Sequence, residues 1–362
     1  MSDAQQQFSG TMPVAERQRF DVGVLESWLK GRVEGFQGPL TIEQFKGGQS
    51  NPTFKLVTPG RAYVMRAKPG PVAKLLPSAH AVEREYRVLA ALAVTDVPVP
   101  KVHVLCEDED VIGRAFYVME CVEGRVLWEQ SLPQASNAER GEIYDEMNRV
   151  IAALHSVDHV AIGLADYGKP GNYFTRQIGR WSKQYQASQT ETIEAMDRLI
   201  EWLPGRIPQD DGEPGTVSIV HGDYRLDNLI FDPKAARIRA ILDWELSTLG
   251  HPLADFSYHC MAWHIAPGQF RGIAGLDHAA LGIPTERQYV ERYCERTGRD
   301  PAQVLAHWEF YIAYNMFRLA AILQGIMKRV VDGTASSQQA IESGKRARPL
   351  AEAGWAIAQR VR

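Results

Sequence analysis

The sequence predicts an α+β fold in two lobes, with a small antiparallel β lobe first and a larger, mainly helical lobe after it. Short β-prone runs separated by Gly and Pro turns fill much of the chain before residue 121, and the hydrophobic period becomes helical from about residue 137. The 362 residues, 45% of them hydrophobic, suffice for two lobes with substantial cores. We expect a tail and a short helix in 1–35, the β lobe in 36–121 and the helical lobe in 122–362.

The β lobe is predicted from five short runs and one helix. Gly47-Gly48 and Pro59-Gly60 are typical of hairpin turns between the first three runs, and Asp21 can cap a short helix upstream. Apolar residues recur at helical spacing between the third and fourth runs, which indicates an inserted helix. The expected strands are Leu40–Phe45, Thr53–Val57, Ala62–Arg66, Val102–Leu105 and Ala115–Cys121, and the inserted helix is Ala79–Leu92.

The second lobe shows a helical period throughout, with one exception. The exception is Thr216–Trp244, which is typical of a strand, a loop, a strand, a turn at Asp232-Pro233 and a third strand. The expected helices are Glu139–His155, Phe174–Leu203, Pro252–Trp263, Thr285–Thr297, Pro301–Val330 and Ser336–Arg360.

Charge gives a weak indication of the partner. The formal net charge is −4, which offers no electrostatic case for a nucleic acid. From Ile265 to the end there are 13 basic and 9 acidic residues, a local balance of +4, whereas the preceding residues carry 27 and 35, or −8. A basic C-terminal part suits an anionic substrate, although solvated helix faces would give the same count.

The remaining bulk features indicate a cytoplasmic protein. The four cysteines show no CxxC spacing, so neither a zinc site nor a disulfide framework is predicted. The polar, Gln-rich start is unlike a signal peptide, and no uninterrupted apolar run reaches membrane-spanning length. The expected partner is a small molecule with a hydroxyl group, which can be anionic; no nucleic acid and no membrane is expected, and a homodimer stays open.

The sequence from His221 to Asn228 carries the strongest chemical signal. Asp223 directly follows an apolar strand, where a carboxylate can orient a hydroxyl group and accept its proton. The structural alternative is an Asp that caps a turn. Arg225 can reach a transferred phosphate, or it is a surface arginine. His221 is predicted to hold the loop through hydrogen bonds and is not expected to be the base.

Two further residues predict a metal site. Asn228 lies five residues after Asp223, and Asp243 ends a second apolar strand. Both offer the hard oxygen ligands that Mg²⁺ prefers when phosphates and water complete its coordination. A carboxylate after an Ile-Leu run is also costly to bury without a cation or donor. Glu245 can help to hold a second ion, or it is a solvated or Arg-paired carboxylate.

The predicted nucleotide site has two charged parts. The loop Gly47–Pro52 lies between two strands, so its backbone amides, at Gly48, Ser50 and Asn51, can cover phosphates. A cation is also needed on the phosphates, oriented by a carboxylate from a nearby helix, for which Glu83 and Glu85 are the candidates. Arg66 with Glu85 is the preferred pair, Lys68 is an alternative cation, and surface ion pairs are the structural alternative.

A connector is expected to supply the base-binding part of the nucleotide site. Phe116–Val122 leads from one lobe to the other, and an extended connector exposes backbone groups that an adenine edge can use. Glu120 C=O and Val122 N–H are the predicted pair, with Met119 lining the site. A buried edge strand is the alternative. No GxxxxGK[ST] sequence occurs, so a P-loop fold is not expected.

These motifs resemble the aminoglycoside phosphotransferase and choline kinase family, in which HGDxxxxN replaces the HRDxxxxN of protein kinases. More narrowly, Ala79–Tyr86, His221–Asn228 and Leu242–Glu245 are similar to the kinase-like domain associated with acyl-CoA dehydrogenases. The resemblance implies a protein-kinase-like two-lobe fold, ATP and Mg²⁺ as cofactors, and phosphorylation of a hydroxyacyl-CoA or related hydroxy acid. It also implies that Asp255 braces the catalytic loop. The chain departs from the family at His251, which replaces an Asp, and at Arg66, which replaces a Lys.

Three hypotheses follow from the sequence. The first is an ATP- and Mg²⁺-dependent kinase that acts on a hydroxyl of a small molecule, with a hydroxyacyl-CoA or hydroxy acid as a candidate acceptor. The alternatives are an antibiotic kinase of the aminoglycoside type and a catalytically silent nucleotide-binding regulator. Acceptor specificity is expected in the helical lobe, where an arginine interrupts an apolar helix. That arginine can bind an acidic group of the acceptor, or it is a buried arginine paired with an Asp or Glu. The candidate acceptor residues are Trp263, His264, Tyr314 and Arg318.

Overall fold

The computed structural model describes residues 10–46, 51–69, 81–269, 271–334 and 337–361. The strands are β1 (Thr11–Met12), β2 (Thr41–Phe45), β3 (Thr53–Val57), β4 (Ala62–Ala67), β5 (Val102–Cys106), β6 (Phe116–Glu120), β7 (Arg125–Val126), β8 (Ser218–Val220), β9 (Leu229–Phe231), β10 (Ile238–Ile241) and β11 (Thr248–Gly250). The α-helices are α1 (Val22–Leu29), α2 (Val82–Leu92), α3 (Asn137–His155), α4 (Tyr173–Ala187), α5 (Glu194–Trp202), α6 (Pro252–Cys260), α7 (His278–Leu281), α8 (Glu286–Thr297), α9 (Pro301–Ala306), α10 (Trp308–Val331), α11 (Gln338–Gly344) and α12 (Ala347–Ala358).

The chain folds into two compact units that are discontinuous in sequence. Unit 1 contains residues 1–132, 160–164 and 225–247, and unit 2 contains residues 133–159, 165–224 and 248–362. Unit 1 therefore holds most of the strands, whereas unit 2 is mainly helical. The lobe boundaries predicted at residues 35 and 121 stay predictions.

Unit 1 is built on a six-stranded antiparallel sheet in the order β1-β2-β3-β4-β6-β5. Alternation along β3 directs Phe54 and Leu56 into the core, where Met65 of β4 and Val118 of β6 also lie. The strands predicted from the β-prone runs are confirmed to within one or two residues at each end.

Helix α2 packs against β5 and β6 of this sheet. Its buried stripe is Val82, Glu85, Leu89 and Leu92, at the i, i+3, i+7 and i+10 spacing of one helix face. Glu85 thus occupies a buried position at which the helical pattern predicts an apolar residue. The predicted helix began at Ala79, which lies outside the described residues; from Val82 onward it is confirmed.

A smaller antiparallel sheet in unit 1 has the order β10-β9-β7. Strands β9 and β10 form the hairpin that the sequence predicted around Asp232-Pro233, with Leu229 opposite Ile241. This register places the residues before β9 beside those after β10, and both groups contain predicted metal ligands.

Unit 2 consists of helices around α10, together with the antiparallel pair β8–β11. Helix α10 packs against α4, α6, α11 and α12. No helix in the described part of the chain is both long and apolar enough to cross a membrane.

Three of the predicted helices are each divided in two. The prediction of one helix over Phe174–Leu203 was wrong because α4 ends at Ala187 and α5 begins at Glu194. Gln324 stabilises the break, since its amide nitrogen Nε2 donates to the carbonyl of Ser188 at 2.9 Å and to the hydroxyl of Thr190 at 2.7 Å. The first of these bonds gives a partner to a backbone carbonyl that a continuous helix would have satisfied itself.

The other two divisions lie near the C-terminus. The predicted helix over Pro301–Val330 is interrupted at His307, and the one over Ser336–Arg360 is interrupted between Gly344 and Ala347. His307 has φ −114° and ψ 12°, which is not helical backbone. Hydrophobic periodicity continued across both interruptions, so the pattern alone could not show them.

Candidate active site

Unit 1 contains a cluster of one arginine and three carboxylates, which we call the charged cluster: Arg66, Glu85, Asp243 and Glu245. Arg66 Nε lies 2.9 Å from Glu85 Oε2, and Arg66 Nη2 lies 2.9 Å from Asp243 Oδ1 and 3.5 Å from Glu245 Oε2. Arg66 reaches the cluster from β4 and Glu85 from the first turn of α2. The preferred pair of the sequence analysis, Arg66 with Glu85, is in direct contact.

Glu85 is the most deeply buried carboxylate of the cluster, with 1% of the residue exposed. Asn51 Nδ2 donates to Glu85 Oε1 at 2.8 Å, and the Tyr117 hydroxyl donates to Oε2 at 3.2 Å. Tyr117 lies opposite Arg66 in the β4–β6 register, so the sheet itself delivers the hydroxyl to the carboxylate. Every oxygen of this buried carboxylate therefore has a donor, as buried charges require.

Burial acts in opposite directions on the pKa values of Arg66 and Glu85. Burial alone would lower the pKa of Arg66, but the charges of Glu85 and Asp243 raise that pKa above its ordinary value. Burial raises the pKa of Glu85, while the charge of Arg66 and the donors Asn51 and Tyr117 oppose that rise. The position of Glu85 thus depends on Arg66 remaining beside it.

Lys68, the alternative cation, makes a separate pair. Its Nζ lies 3.2 Å from Glu83 Oε2, and the side chains of Lys68 and Glu83 are 26% and 37% exposed. The period of two that placed Arg66 and Lys68 on one face ends with the strand at Ala67. The structure therefore brings Arg66, and not Lys68, to Asp243.

Asn228 and Asp243 are held together by the β9–β10 hairpin. The backbone N–H of Leu242 donates to the carbonyl of Asn228 at 2.8 Å, so Asp243 follows directly after a residue that is bonded to Asn228. Asp243 has φ 65° and ψ 61°, a left-handed conformation that non-glycine residues adopt at a cost. Backbone strain of this kind at a polar residue is typical of functional sites.

The donor set at this hairpin fits a magnesium ion. Asn228 offers an amide oxygen and Asp243 a carboxylate, while Asp243 Oδ1 is already bonded to Arg66. The side chain of Asp243 is 32% exposed, which leaves it open to phosphate or water ligands. Among the described residues no group of three or more His, Cys, Asp or Glu side chains could hold a metal ion by itself, so a magnesium ion here would need ligands from a bound substrate.

Other predicted nucleotide-site residues are less constrained by the structure. Gly48 and Ser50 lie outside the described residues. Met119 and Glu120 end β6, with Met119 buried and Glu120 partly exposed, and Val122 follows that strand. Residues 116–120 of the predicted connector therefore form strand β6 of the six-stranded sheet.

Arg225 begins the unit 1 part of the motif. Its Nη2 lies 3.6 Å from Asp227 Oδ2, and its side chain is 23% exposed. Arg225 is therefore partly buried. This exposure does not distinguish an arginine that reaches the transferred phosphate from a surface arginine.

Unit 2 contains the predicted base, Asp223, in a segment that we call the base loop, residues 221–223. Asp255 fixes the loop by its backbone: Oδ2 accepts the N–H of His221 at 2.6 Å, and Oδ1 accepts the N–H of Gly222 at 2.8 Å. His221 Nδ1 accepts the N–H of Asp223 at 3.2 Å. His221 and Asp255 therefore have the supporting positions that the motif and the resemblance predicted.

Asp255 is itself held by a buried histidine. His155 Nε2 lies 3.2 Å from Asp255 Oδ2, and its Nδ1 lies 2.8 Å from the Tyr293 hydroxyl. Burial lowers the pKa of His155, and a neutral ring that donates from Nε2 matches a carboxylate, which can only accept. Burial alone would raise the pKa of Asp255, but the bonds from His155 and His221 hold it below its ordinary value.

The carboxylate of Asp223 is oriented by a residue that the sequence analysis missed. The Tyr258 hydroxyl donates to Asp223 Oδ1 at 2.7 Å. Tyr258 lies three residues after Asp255 on α6, so both face the base loop from one side of the helix. That i, i+3 spacing was a usable signal. His155 lies far from the motifs in sequence, and Tyr117 lies within the predicted connector, where nothing indicated a contact with Glu85.

Comparisons with known proteins agree with this geometry. Residues 41–306 match the phosphotransferase enzyme family, APH. The chain therefore belongs to the phosphotransferase enzyme family, and the resemblance predicted from the motifs is confirmed.

Two curated relatives carry another name. Mouse acyl-CoA dehydrogenase family member 10 is 46% identical over 352 residues, which are 96% of this chain and 32% of the mouse protein. Rat acyl-CoA dehydrogenase family member 11 is 41% identical over 356 residues, 97% of this chain and 45% of the rat protein. The chain thus spans less than half the length of these relatives, and the predicted similarity to a domain associated with acyl-CoA dehydrogenases is confirmed.

Solved structures establish the fold. A protein from Ralstonia eutropha, described provisionally as an aminoglycoside phosphotransferase, is 67% identical, has a TM-score of 0.86, and covers 94% of this chain and 99% of its own. A choline kinase from Cryptosporidium parvum is 12% identical with a TM-score of 0.60, covering 94% of this chain and 95% of its own. The predicted protein-kinase-like fold, with an antiparallel β lobe and a helical lobe, is confirmed.

Proposed function

We propose that this protein is an ATP- and Mg²⁺-dependent kinase that transfers the γ-phosphoryl group of ATP to a hydroxyl of a small molecule. The observation that carries the proposal is the buried contact of Arg66 with both Glu85 and Asp243. A buried arginine fixed by a helix carboxylate, next to a strained aspartate, is an arrangement suited to polyphosphate binding. Membership of the phosphotransferase family supports the same reaction.

Arg66 is the proposed phosphate-binding residue. Its guanidinium would bind the α and β phosphates, and Glu85 would hold it in place as Asn51 and Tyr117 hold Glu85. Arginine suits phosphate because its planar fork of donors matches two phosphate oxygens at once. Binding of the nucleotide would then replace the contact of Arg66 with Asp243 by one with phosphate.

Asn228 and Asp243 would hold the magnesium ion. A bound magnesium ion would neutralise the charge of the phosphate oxygens during transfer. Release of Asp243 from Arg66 would free Oδ1 for this role, so the same carboxylate would serve the resting cluster and the metal.

Asp223 would act as the base. Its carboxylate would accept the proton of the acceptor hydroxyl while the hydroxyl oxygen bonds to the γ phosphorus and the bond from that phosphorus to the ADP oxygen breaks. Tyr258 would keep Oδ1 in place, and the other oxygen of Asp223 would face the hydroxyl. The products would be ADP and the phosphorylated acceptor, with the proton on Asp223.

The acceptor we propose is a hydroxyacyl-CoA or a hydroxy acid. This choice of acceptor follows the name of the curated relatives, which are acyl-CoA dehydrogenase family members and of which this chain matches only a part. An aminoglycoside is the second candidate, which the description of the Ralstonia protein favours. A silent regulator is less suited to the sequence, since Asp223, Asn228 and Asp243 are all present.

An ATP-consumption screen tests the proposal. The acceptors are hydroxyacyl-CoAs, hydroxy acids, amino alcohols and aminoglycosides, each with the parent protein and with Asp223→Asn. We expect Mg²⁺-dependent ADP release with a hydroxyacyl-CoA or hydroxy acid, and none with the variant. Turnover confined to aminoglycosides would replace the acceptor class, and nucleotide binding without any acceptor turnover would favour the regulator.

A further inference from the structure

Arg318 is a charged residue in the interior of unit 2 that none of the roles above uses. It lies on α10 between the buried residues Phe317 and Leu319, and it is itself 9% exposed. A guanidinium stays protonated in proteins, so α10 carries a positive charge into its buried face.

The sequence left two alternatives for this charge, an acidic group of the acceptor or an ion pair with an Asp or Glu of the chain. The second is not found among the residues that the structure describes. Among the residues that the structure describes, no carboxylate oxygen lies within ion-pairing distance of Arg318, and its one hydrogen bond runs from Nη2 to the carbonyl of Gly222 at 2.9 Å. A guanidinium has five N–H donors, so most of its capacity is unused by these residues.

Aromatic rings lie around the guanidinium. Burial alone would lower the pKa of Arg318, but nearby acidic groups, Tyr173 first and Asp223 among them, raise that pKa. The guanidinium carbon lies 5.4 Å from the ring centre of Tyr258 and 6.0 Å from that of Trp181. Such contacts stabilise a cation without neutralising it or satisfying its donors. A desolvated arginine of this kind favours an anion that can take up the remaining N–H groups.

Its position relates it to the base. Arg318 bonds Gly222, the residue before Asp223, and Tyr258 contacts both, with its ring toward Arg318 and its hydroxyl on Asp223 Oδ1. Tyr258 therefore contacts both the guanidinium of Arg318 and the carboxylate of Asp223, which would receive the proton. The positive balance of the chain after Ile265 acts in the same direction over longer distances.

We propose that Arg318 binds a carboxylate or phosphate group of the acceptor and so selects anionic hydroxyl compounds. This inference rests on the proposed kinase activity and adds to it a substrate feature and the residue that reads it. The bond to Gly222 holds the guanidinium in place, and the unused N–H groups face the acceptor anion. A neutral analogue of the same shape leaves those donors unpaired and is rejected.

The test compares acceptors that differ only in the anion. The probes are 4-hydroxypentanoate against 4-hydroxypentanamide, and 4-hydroxypentanoyl-CoA against 4-hydroxypentanoyl-pantetheine. The first pair tests a carboxylate and the second the phosphates of CoA. We expect the parent protein to favour the anionic member of at least one pair by on the order of 100-fold in kcat/KM. Arg318→Gln should reduce that ratio to near one, and Arg318→Lys should restore part of it.

The controls separate recognition from structure. Arg329→Gln removes an exposed arginine from the same helix and should keep the parent ratio. If Arg318→Gln lowers kcat/KM equally for both members of a pair, Arg318 only holds Gly222 and the inference is wrong. The inference is also wrong if the parent protein does not discriminate within either pair.

If no probe is phosphorylated, a binding measurement tests the proposed anion site at Arg318. Titration of the full chain with 4-hydroxypentanoate and 4-hydroxypentanoyl-CoA should change tryptophan fluorescence, because Trp181 lies against Arg318. A saturable change that Arg318→Gln abolishes supports the anion site even without turnover. No such change with either probe overturns it, whereas failure to bind Mg²⁺-ATP overturns the kinase proposal instead.

Discussion

The two units hold their candidate functional residues by different means. In unit 1, Arg66 is held by opposite charges, with Glu85, Asp243 and Glu245 all within 3.5 Å of its nitrogens. In unit 2, Asp255 holds the base loop through two backbone N–H groups, and the neutral His155 in turn holds Asp255. Ion pairs can be exchanged for pairs with a ligand, whereas backbone hydrogen bonds fix a loop in one conformation.

This difference matches the two proposed functions, which are nucleotide and metal binding in unit 1 and proton acceptance in unit 2. A nucleotide and its metal ion arrive and leave in every cycle, so their site benefits from charges that can change partners. A base must keep its geometry toward a reacting hydroxyl, and a rigid loop provides that. We therefore expect substitutions in unit 1 to act on nucleotide affinity and stability, and substitutions in the base loop to act on turnover.

The largest effect is expected at Asp223. Asp223→Asn keeps the shape of the side chain and its acceptor oxygen but removes the carboxylate that would receive the proton. We expect kcat to fall by roughly 10³-fold or more, with the KM for ATP nearly unchanged. Steady-state kinetics on an acceptor found in the screen measures both. A variant with kcat within tenfold of the parent would remove Asp223 from the mechanism.

The next effect is loss of stability on breaking the charged cluster. Arg66→Met leaves Glu85 buried without its counter-charge, which should reduce the free energy of unfolding by about 3–5 kcal/mol. The matched control is Lys68→Met, which breaks the more exposed pair with Glu83 and should cost about 1 kcal/mol or less. Urea unfolding compares the two, and equal losses would contradict a special role for the buried pair.

The pH dependence of Arg66→Met provides a further check. Burial already raises the pKa of Glu85, and loss of Arg66 removes the strongest opposing charge. A carboxyl with a raised folded-state pKa contributes most below its unfolded value, 4.5, and loses that contribution as the pH rises. The variant should therefore be closer in stability to the parent at pH 5 than at pH 8.

Unit 2 should lose stability in acid because it buries neutral histidines. Burial lowers the pKa of His259 from 6.5 to about 4, so the unfolded chain binds a proton that the folded chain refuses. The free energy of unfolding should fall as the pH drops from 6.5 toward 4, by about 2 kcal/mol for His259 at pH 5. His259→Gln should remove that part of the pH dependence, and the exposed His307→Gln is the matched control. An unchanged slope in His259→Gln would show that this residue is not responsible.

The smallest effect is expected at Tyr258. Tyr258→Phe keeps the ring beside Arg318 but removes the donor to Asp223, so kcat should fall by about tenfold, equivalent to ~1.4 kcal/mol. The ATP affinity should stay the same. Tyr185→Phe, which removes a buried hydroxyl from α4, is the control. A change in ATP affinity without a change in kcat would contradict the proposed role of Tyr258 in orienting Asp223.

Sequence patterns predicted the parts of this molecule that local rules determine. The β hairpins and the face of α2 followed from turn residues and from the periods of strands and helices. The Arg66–Glu85 pair was instead chosen because a nucleotide site needs a cation that a helix carboxylate orients. The breaks in the helical lobe did not, because Gln324 stabilises one of them from more than 130 positions away.

The site was predictable to the same extent. Asp223, Asn228 and Asp243 carry chemical types at a recognisable spacing, but Tyr117, Tyr258 and His155 act through contacts made only in the folded chain. The lack of an ion pair for Arg318 among the described residues was also hidden, since a pattern shows that an arginine interrupts an apolar helix without showing what lies opposite it.

The most direct test of the division between the two units is an ATP titration with and without Mg²⁺. Parent protein, Asp223→Asn and Asp243→Asn are compared by calorimetry. We predict that Asp243→Asn loses most of the gain in affinity that Mg²⁺ provides, whereas Asp223→Asn keeps it. Equal loss in both variants, or loss in Asp223→Asn alone, would contradict the assignment of nucleotide and metal binding to unit 1 and of the base to unit 2.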